Sequence, residues 1–351
     1  MFKPKYQLTT EIINLLTSIA EAKVVIEHAK LLPKHELNLR RQAVIKTTHS
    51  STAIEGNVLS IEQVEALYEH KKIAAPLRDV YEVKNYLAAL HYIEKVVAQK
   101  QLITEKTLLR IHKLVTSQTL SKEQSGHYRE KPVYVVRGKG GFTSEIIYTA
   151  PDAQKVPRLC RDLIVWIQKS ARENINPIIV AAIVHQEIAA IHPFVDGNGR
   201  TARAIATLIL YQRGYDFRHL FALEDYYNQD RQGYYNAINL GKTYAERKSD
   251  LTSWLQYFVT GFKQEIDQVK TKVILLSSKK VNQGIEAKVY LNKKQQIILD
   301  FIDRVGKIRV SDVVDILGCP KRTAQLELQK LKKLGTIKQV GKGPATSYLL
   351  K

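Results

Sequence analysis

The sequence predicts a mainly α-helical protein with a β-hairpin in its middle and a small α+β unit at its C-terminal end. Three features carry that expectation. Apolar residues recur at three- and four-residue spacing in the segments with the clearest periodicity. Two β-rich runs, residues 134–136 and 146–148, flank the glycine-rich Arg137-Gly138-Lys139-Gly140-Gly141. From residue 292 on, the chain breaks into short elements punctuated by Gly and Pro.

Residues 41–54 can form a helix, with Ala43, Val44, Thr47 and Ile54 spaced for one face. Gly56 or Asn57 would close it as a left-handed C-cap. Glu55 then lies at a helix C-terminus, where the backbone dipole disfavours a carboxylate unless a cation compensates. The plainer reading is an ordinary capped helix with a solvated Glu. The hairpin glycines are not a Walker loop, since no Gly-Lys-Ser/Thr follows them, and a purely structural hairpin accounts for them. Asn176-Pro177 opens a helix over residues 178–191, apolar at Ile179, Val180, Ile183, Val184, Ile188 and Ile191, with Pro177 in its first turn. Pro193 disfavours helical geometry at His192 and should stop that helix. A second helix starts near Arg200.

The join between these two helices reads His192-Pro193-Phe194-Val195-Asp196-Gly197-Asn198-Gly199-Arg200, with Arg203 one turn later. His192 can take a proton from a hydroxyl near neutral pH. Asp196 is a hard oxygen ligand of the kind that holds Mg²⁺ together with phosphates. Gly197 and Gly199 allow positive φ, so that successive N–H groups can face one concavity. The following helix N-terminus adds partial positive charge, and Arg200 and Arg203 share one face. A tight turn with solvated arginines would explain the Asp-Gly-Asn-Gly string, but neither the His at the helix stop nor the Arg pair at the restart.

From His192 to Arg203 the chain resembles the Fic family, whose signature is H-P-F-x-(D/E)-G-N-G-R-x-x-R, and the match is complete. The resemblance implies transfer of AMP from ATP to a hydroxyl of a protein, with an all-α Fic core and the hairpin as its flap. By it, His192 would be the base, Asp196 would hold Mg²⁺, Gly197, Asn198, Gly199 and Arg200 would cradle the phosphates, and Arg203 would grip the γ-phosphate. Ser51-Thr52-Ala53-Ile54-Glu55-Gly56 resembles the inhibitory Ser-x-x-x-Glu-Gly motif of Fic proteins that carry their own brake. Glu55 would then pair with Arg203, and Ser51 would help fix the helix. Ile146, Ile147 and Tyr148 would align the target segment by edge-strand pairing. Tyr234 and Tyr235, in Arg231-Gln232-Gly233-Tyr234-Tyr235, are similar to the family's tyrosine-containing helix near the adenine, a core aromatic pair being the alternative. Asp250-Leu251-Thr252-Ser253-Trp254 is similar to the stretch that closes such cores.

Fifty-four Lys and Arg against thirty-four Asp and Glu give a net charge of +20. That surplus points to polyanion partners, nucleic acid first, or to plain solubility. The two cysteines, Cys160 and Cys319, lie far apart, which disfavours disulfides and zinc and suits a reducing compartment. The N-terminus lacks a signal-peptide pattern, and His185, Gln186 and Glu187 interrupt the most apolar stretch. A cytoplasmic protein with no membrane span is expected.

Residues 263–291 turn polar and lysine-rich, part helix and part linker. Beyond them come a helix over 295–305, a short strand over 307–310, a helix capped by Ser311 and ending at Leu317-Gly318, a helix over 321–334, and a hairpin of 337–340 with 347–350. That order resembles a winged helix-turn-helix, which implies DNA contact by Lys321, Arg322, Thr323 and Gln325 on the recognition helix and by Lys342 in the wing. Thirteen basic and five acidic residues from Leu291 on give that unit a net of +8; many such units bind protein instead. The predicted organisation is therefore an N-terminal helical region with the inhibitory helix (1–75), a catalytic core (76–262), a basic linker (263–291) and a winged helix (292–351). The predicted activity is Mg²⁺-dependent transfer of AMP to Ser, Thr or Tyr of a protein target, which can be the chain itself, and the chain can act as a homodimer. Two rivals stand beside it: removal of AMP, with Glu55 positioning a water, and a DNA-binding regulator whose core senses nucleotide.

Overall fold

The computed structural model describes residues 2–137, 145–247, 250–278, 291–341, 343 and 346–351. Helices dominate: α1 (Thr10–His28), α2 (Pro33–Ile54), α3 (Ile61–Tyr68), α4 (Leu77–Ala98) and α5 (Glu105–Val115) precede the hairpin β1 (Tyr134–Arg137) and β2 (Glu145–Thr149). Next come α6 (Val156–Arg172), α7 (Pro177–Ile191), α8 (Asn198–Gln212), α9 (Leu223–Gln229), α10 (Arg231–Ile238), α11 (Tyr244–Arg247) and α12 (Thr252–Ser278). The C-terminal unit is α13 (Lys293–Val305), α14 (Val310–Leu317), α15 (Lys321–Lys333), β3 (Ile337–Val340) and β4 (Ser347–Leu350). This is the predicted mainly α fold with two antiparallel hairpins.

The core is built around α7. Nearly every side chain of α7 is buried, His185, Gln186 and Glu187 included, so it is the central helix of the bundle. It lies against α8, α6 and α12, and Trp254 of α12 donates its indole N–H to the Ala182 carbonyl at 2.7 Å. Asn176 caps its start, accepting from the Ile178 N–H at 2.9 Å, with Pro177 in the first turn as expected. Among the described residues, no helix is long and apolar enough to cross a membrane.

Two predicted boundaries move. The helix that carries Glu55 begins at Pro33, two turns earlier than its apolar pattern suggests, because buried Glu36 and Arg40 occupy positions that read as solvated. The division at 262/263 falls inside α12, a 27-residue helix. Phe262, Ile266, Val269 and Val273 bury one face of it in the main core, and the lysines within it, Lys263, Lys270 and Lys272, lie outside that core. The predicted linker residues 279–290 lie outside the described residues. The N-terminal helices are likewise part of the bundle: α1 packs along α12, and Ile12, Ile19 and Ile54 belong to the same apolar cluster as α7 and α8.

The C-terminal unit has its own core, including Leu291, Ile298, Ile302, Ile308, Leu328 and Tyr348. Its first pairing is a single bridge, Ile308 to Tyr348, in place of the predicted four-residue strand. The next helix is capped by Arg309, whose N–H donates to Asp312 at 2.7 Å, rather than by Ser311. The unit docks on α2 and α4. Arg40 of α2 pairs with Asp300 of α13, Lys293 meets Asp216 at 2.6 Å, and Gln99 donates to the Asp315 carbonyl at 3.2 Å.

One buried cation ties α1, α2 and the segment after α8 together. Arg218 pairs with Glu36 and donates to the carbonyls of Ile26 (3.1 Å) and Ala29 (2.7 Å). Removing one member of such a pair strands the other charge in the interior. Arg218→Ala should therefore lower stability by about 3–5 kcal/mol, read as a shifted urea midpoint. The double variant Arg218→Met, Glu36→Leu should recover much of the loss; if the single variant alone is neutral, the pair is not structural.

Candidate active site

The turn between α7 and α8 is held by packing and by a few shared hydrogen bonds. His192 leaves α7 in the left-handed region (φ 49°), consistent with Pro193 forbidding a further helical turn. Phe194 is fully buried and stacks face to face on His112 at 3.6 Å. Asn198 clamps the loop across its base: its side-chain oxygen accepts from the Phe194 N–H at 3.0 Å, and its amide donates to the Phe194 carbonyl at 2.9 Å. The Gly126 N–H donates to Nδ1 of His112 at 3.0 Å, so Nε2 carries the proton and donates to the Asp196 carbonyl at 3.0 Å. Arg129 ties the loop to the root of the hairpin, donating to the carbonyls of His192 (2.8 Å), Lys131 (3.0 Å) and Pro151.

Beyond the loop the structure gathers positive charge. Gly197 sits at φ 78° as the N-cap of α8, so the N–H groups of the first turn have no partner within the helix. Gly199, expected at positive φ, is instead helical. A Cβ there would lie 2.2 Å from Oε1 of Glu55, so close approach is what demands glycine. Arg200 and Arg203 are both fully buried. Arg200 reaches Glu82 and Asp196, each at 3.3 Å, and Asp196 also meets Arg78 at 3.1 Å. Nε of Arg200 and Nη1 of Arg203 make no hydrogen bond among the described residues. Buried guanidinium donors left unspent are costly unless an anion takes them, and a polyphosphate fits that demand.

His192 is half-buried, and burial pushes its imidazole down to about 4, aided by the Arg247 and Arg129 cations and opposed by a contact with the Ala189 carbonyl and by Glu55. The Ala189 carbonyl lies 3.4 Å from Nδ1, which assigns the proton to Nδ1 and leaves Nε2 with a free lone pair. The site thus holds a neutral base among buried cations.

Glu55 ends α2 and reaches across to Arg203. Nη2 donates to its carboxylate at 2.8 Å and to the Ser51 carbonyl at 2.7 Å, while Nε donates to the Ser51 hydroxyl at 2.8 Å. Burial alone would weaken the Arg203 charge, but Glu55, Tyr234 and Tyr86 together outweigh it and hold the guanidinium protonated. Gly56 follows at φ 96°, the left-handed cap expected from the sequence. Asn57 then donates to Glu82 at 3.0 Å, so the end of α2 and Arg200 share one carboxylate.

Ser51, Glu55, Asp196, Arg200 and Arg203 converge, with Tyr235 beside them: its hydroxyl donates to the Ile54 carbonyl at 2.8 Å. Tyr234 is buried, bonds His185 at 2.9 Å and stacks on Tyr227, as a core aromatic would, and it also interacts with the Arg203 guanidinium. Tyr148 is fully buried too, with its hydroxyl on the Ala190 carbonyl and Arg247 over its ring, so its side chain is committed to the core and offers a target no side-chain contact. Ile146 is exposed and Ile147 partly so. Lys321, Arg322 and Gln325 are exposed on α15, where Thr323 is half-buried; Lys342 lies outside the described residues, as do Gly138, Lys139, Gly140 and Gly141. The residues that sequence reasoning missed, Arg78, Glu82, His112 and Arg129, come from helices or loops remote in the chain. The only local hint is the i, i+4 spacing of Arg78 and Glu82, which meet at 3.2 Å.

In the unfolded chain His192 protonates near 6.5, in the native one near 4. Its contribution to stability is thus complete above pH 6.5 and is lost as pH falls toward 4. The NMR titration of the His192 ring should show a midpoint near 4, and His112, pushed down to about 4 by burial, should match it. A midpoint for His192 between 6 and 7 would contradict the buried, neutral assignment.

The chain is similar to known proteins in sequence and in fold. Residues 102–210 match the Fic/DOC family. The chain is 32% identical to the protein adenylyltransferase Fic of Nematostella vectensis over 216 residues, 59% of this chain and 46% of that protein. It is 29% identical to the protein of the same name from Drosophila willistoni over 217 residues, 60% of this chain and 41% of that one. The matches thus span less than half the length of these curated relatives. A crystal structure of a Fic family protein from Desulfovibrio desulfuricans G20 superposes with a TM-score of 0.65 at 25% identity, covering 100% of this chain and 98% of that one.

Proposed function

We propose that this chain, whose residues 102–210 match the Fic/DOC family, transfers AMP from ATP to a hydroxyl side chain of a protein, restrained by Glu55. The observation that carries this reading is the pair of buried guanidiniums with unspent donors beside a neutral His192. Nε2 of His192 would accept the proton of a Ser, Thr or Tyr hydroxyl as its oxygen bonds to the α-phosphorus. The bond to the β-phosphate oxygen breaks, and pyrophosphate leaves. The first-turn N–H groups of α8, with Arg200 and Arg203, would orient the phosphates and offset their charge. The Asp196 carboxylate suits Mg²⁺ shared with substrate phosphates once Arg78 swings aside, and the ion would neutralise phosphate charge there. The exposed edge around Ile146 and Ile147 would seat the target segment by main-chain pairing.

Glu55 occupies the Arg203 donors that the terminal phosphate of ATP would need. A charge-assisted pair of this kind contributes about 1.5–3 kcal/mol, enough to shift a binding mode by roughly tenfold or more. Glu55→Gly should accordingly raise AMP transfer and self-modification about tenfold or more, followed with radiolabelled ATP and Mg²⁺. His192→Ala should abolish labelling in either background. Equal labelling with and without Glu55 would remove the brake from this account.

The C-terminal unit is read as a winged helix that contacts DNA. What supports this is a groove of about 940 Å³ between α14, α15 and the β3–β4 hairpin, lined by Arg309, Lys321, Gln325, Gln329 and Gln339. Cations with amide side chains on an open helix face suit phosphate and base-edge contacts. Lys321→Ala with Arg322→Ala should weaken duplex binding and flatten its salt dependence by roughly one to two counterions. Unchanged binding in a mobility-shift titration would point to a protein partner for this face.

A further inference from the structure

A second concavity lies at the joint between the bundle and the C-terminal unit. It measures about 620 Å³ and is walled by α2, α3, α4 and α13, within the range of roughly 300–1,000 Å³ typical of small-molecule sites. Val44, Leu67, Leu87, Leu90, Phe301 and Val305 make it apolar, and Val305 is 56% exposed. Its rim is basic. Lys71, Lys72 and Lys84 stand around it with His70 and His91, against a single lining carboxylate, Glu94, which sits 3.6 Å from His91. Lys71 also reaches Glu69 at 2.6 Å, whereas Lys72 and Lys84 have no carboxylate partner among the described residues.

An apolar floor suits neither a nucleic acid backbone nor a free inorganic ion, and a lysine rim does not suit a neutral or cationic ligand. The complementary occupant carries an apolar body and an anionic group. The position matters as much as the chemistry. Val44 and Glu55 lie on or at the end of one helix, eleven residues apart, or roughly 16 Å along its axis. One turn before Val44, Arg40 pairs with Asp300, the neighbour of Phe301. A ligand here touches both sides of the joint and the helix that presents Glu55.

We propose that this cavity binds a small organic anion with an apolar body and that its occupation holds α2 where Glu55 meets Arg203. The first half stands on the cavity alone; the second rests on the reading of Glu55 given above. A ligand stabilises whichever conformation it fits, and the cavity is formed in the state in which Glu55 is seated. Occupation therefore strengthens the restraint rather than releasing it.

The full-length protein is titrated with 1-anilinonaphthalene-8-sulfonate, following fluorescence and heat. Saturable binding is expected. It should be lost in Ala88→Trp, which fills the cavity from an exposed position on α4, and weakened about tenfold in Lys84→Glu. The probe should also slow AMP transfer by the wild type and leave Glu55→Gly unaffected. No saturable signal, or one that Ala88→Trp does not move, overturns the site. Equal slowing of wild type and Glu55→Gly overturns its link to α2. If neither protein transfers AMP at all, the proposed activity fails while the binding titration still decides the site.

Discussion

A single buried guanidinium organises the centre of this molecule. Arg203 is held by Ser51 and Glu55 from a helix about one hundred and fifty residues earlier in the chain. An isolated cation cannot stay in a protein interior without a counter-charge. Whatever else the fold does, it must bring an anion to this point. The end of α2 provides one, and Gly199 leaves the space for it, since any side chain there would collide with the carboxylate. Buried Glu224 and Tyr86 also act on the same cation. Burial raises the Glu224 carboxyl to about 7, and it accepts from the Tyr86 hydroxyl at 3.1 Å. The arginine is thus boxed in, with Nη1 as the one donor that no hydrogen bond takes among the described residues.

The neighbouring loop answers a different constraint. His192 must be fixed in direction yet remain uncharged, and both demands are met by burial beside cations. Arg129 binds the His192 carbonyl and the base of the hairpin, while His112 and Asn198 fix the backbone of the turn. None of these groups needs to touch a reacting atom. They remove rotational freedom from the loop, which in the proposed phosphoryl-type displacement is where most of the rate would originate.

What the sequence made legible, and what it hid, follows from range. The segment from His192 to Arg203 was readable because a base, an acid, two glycines and two cations are compressed into twelve positions. Glu55 was readable because its cap geometry is local and its motif is short. Glu82, Arg78 and Arg129 were not, because each earns its place through partners brought near only by the tertiary fold. Tyr148 misled for a subtler reason. The register shifts so that Val135 faces Tyr148 and Val136 faces Ile146, leaving Ile147 as an extra residue. That irregularity leaves Ile146 exposed and Tyr148 buried on a strand where strict alternation would give them the same face. The boundary at 262/263 failed because composition averages over a helix: Lys263, Lys270 and Lys272 lie outside the core, while Ile266, Val269 and Val273 of the same helix are buried in it.

The strength of the Glu55–Arg203 contact also limits how it can be controlled. On the proposed reading of Glu55 as a brake, a restraint of roughly 2 kcal/mol would leave a few per cent of molecules unrestrained at any moment. A partner then needs only a similar differential affinity to empty or fill that population. Such an increment is within reach of one buried ion pair or one occupied cavity, provided it acts on the element that carries the carboxylate. Here that element is a continuous 22-residue helix whose first half meets the C-terminal unit through Arg40 and Leu37 and whose end meets Arg203. A helix is stiff along its axis on the scale of a few turns, so displacement at one end is transmitted rather than absorbed. If Glu55 restrains the site as proposed, the energetic scale of the contact and the continuity of the helix would make the joint with the C-terminal unit the place where control takes the least free energy.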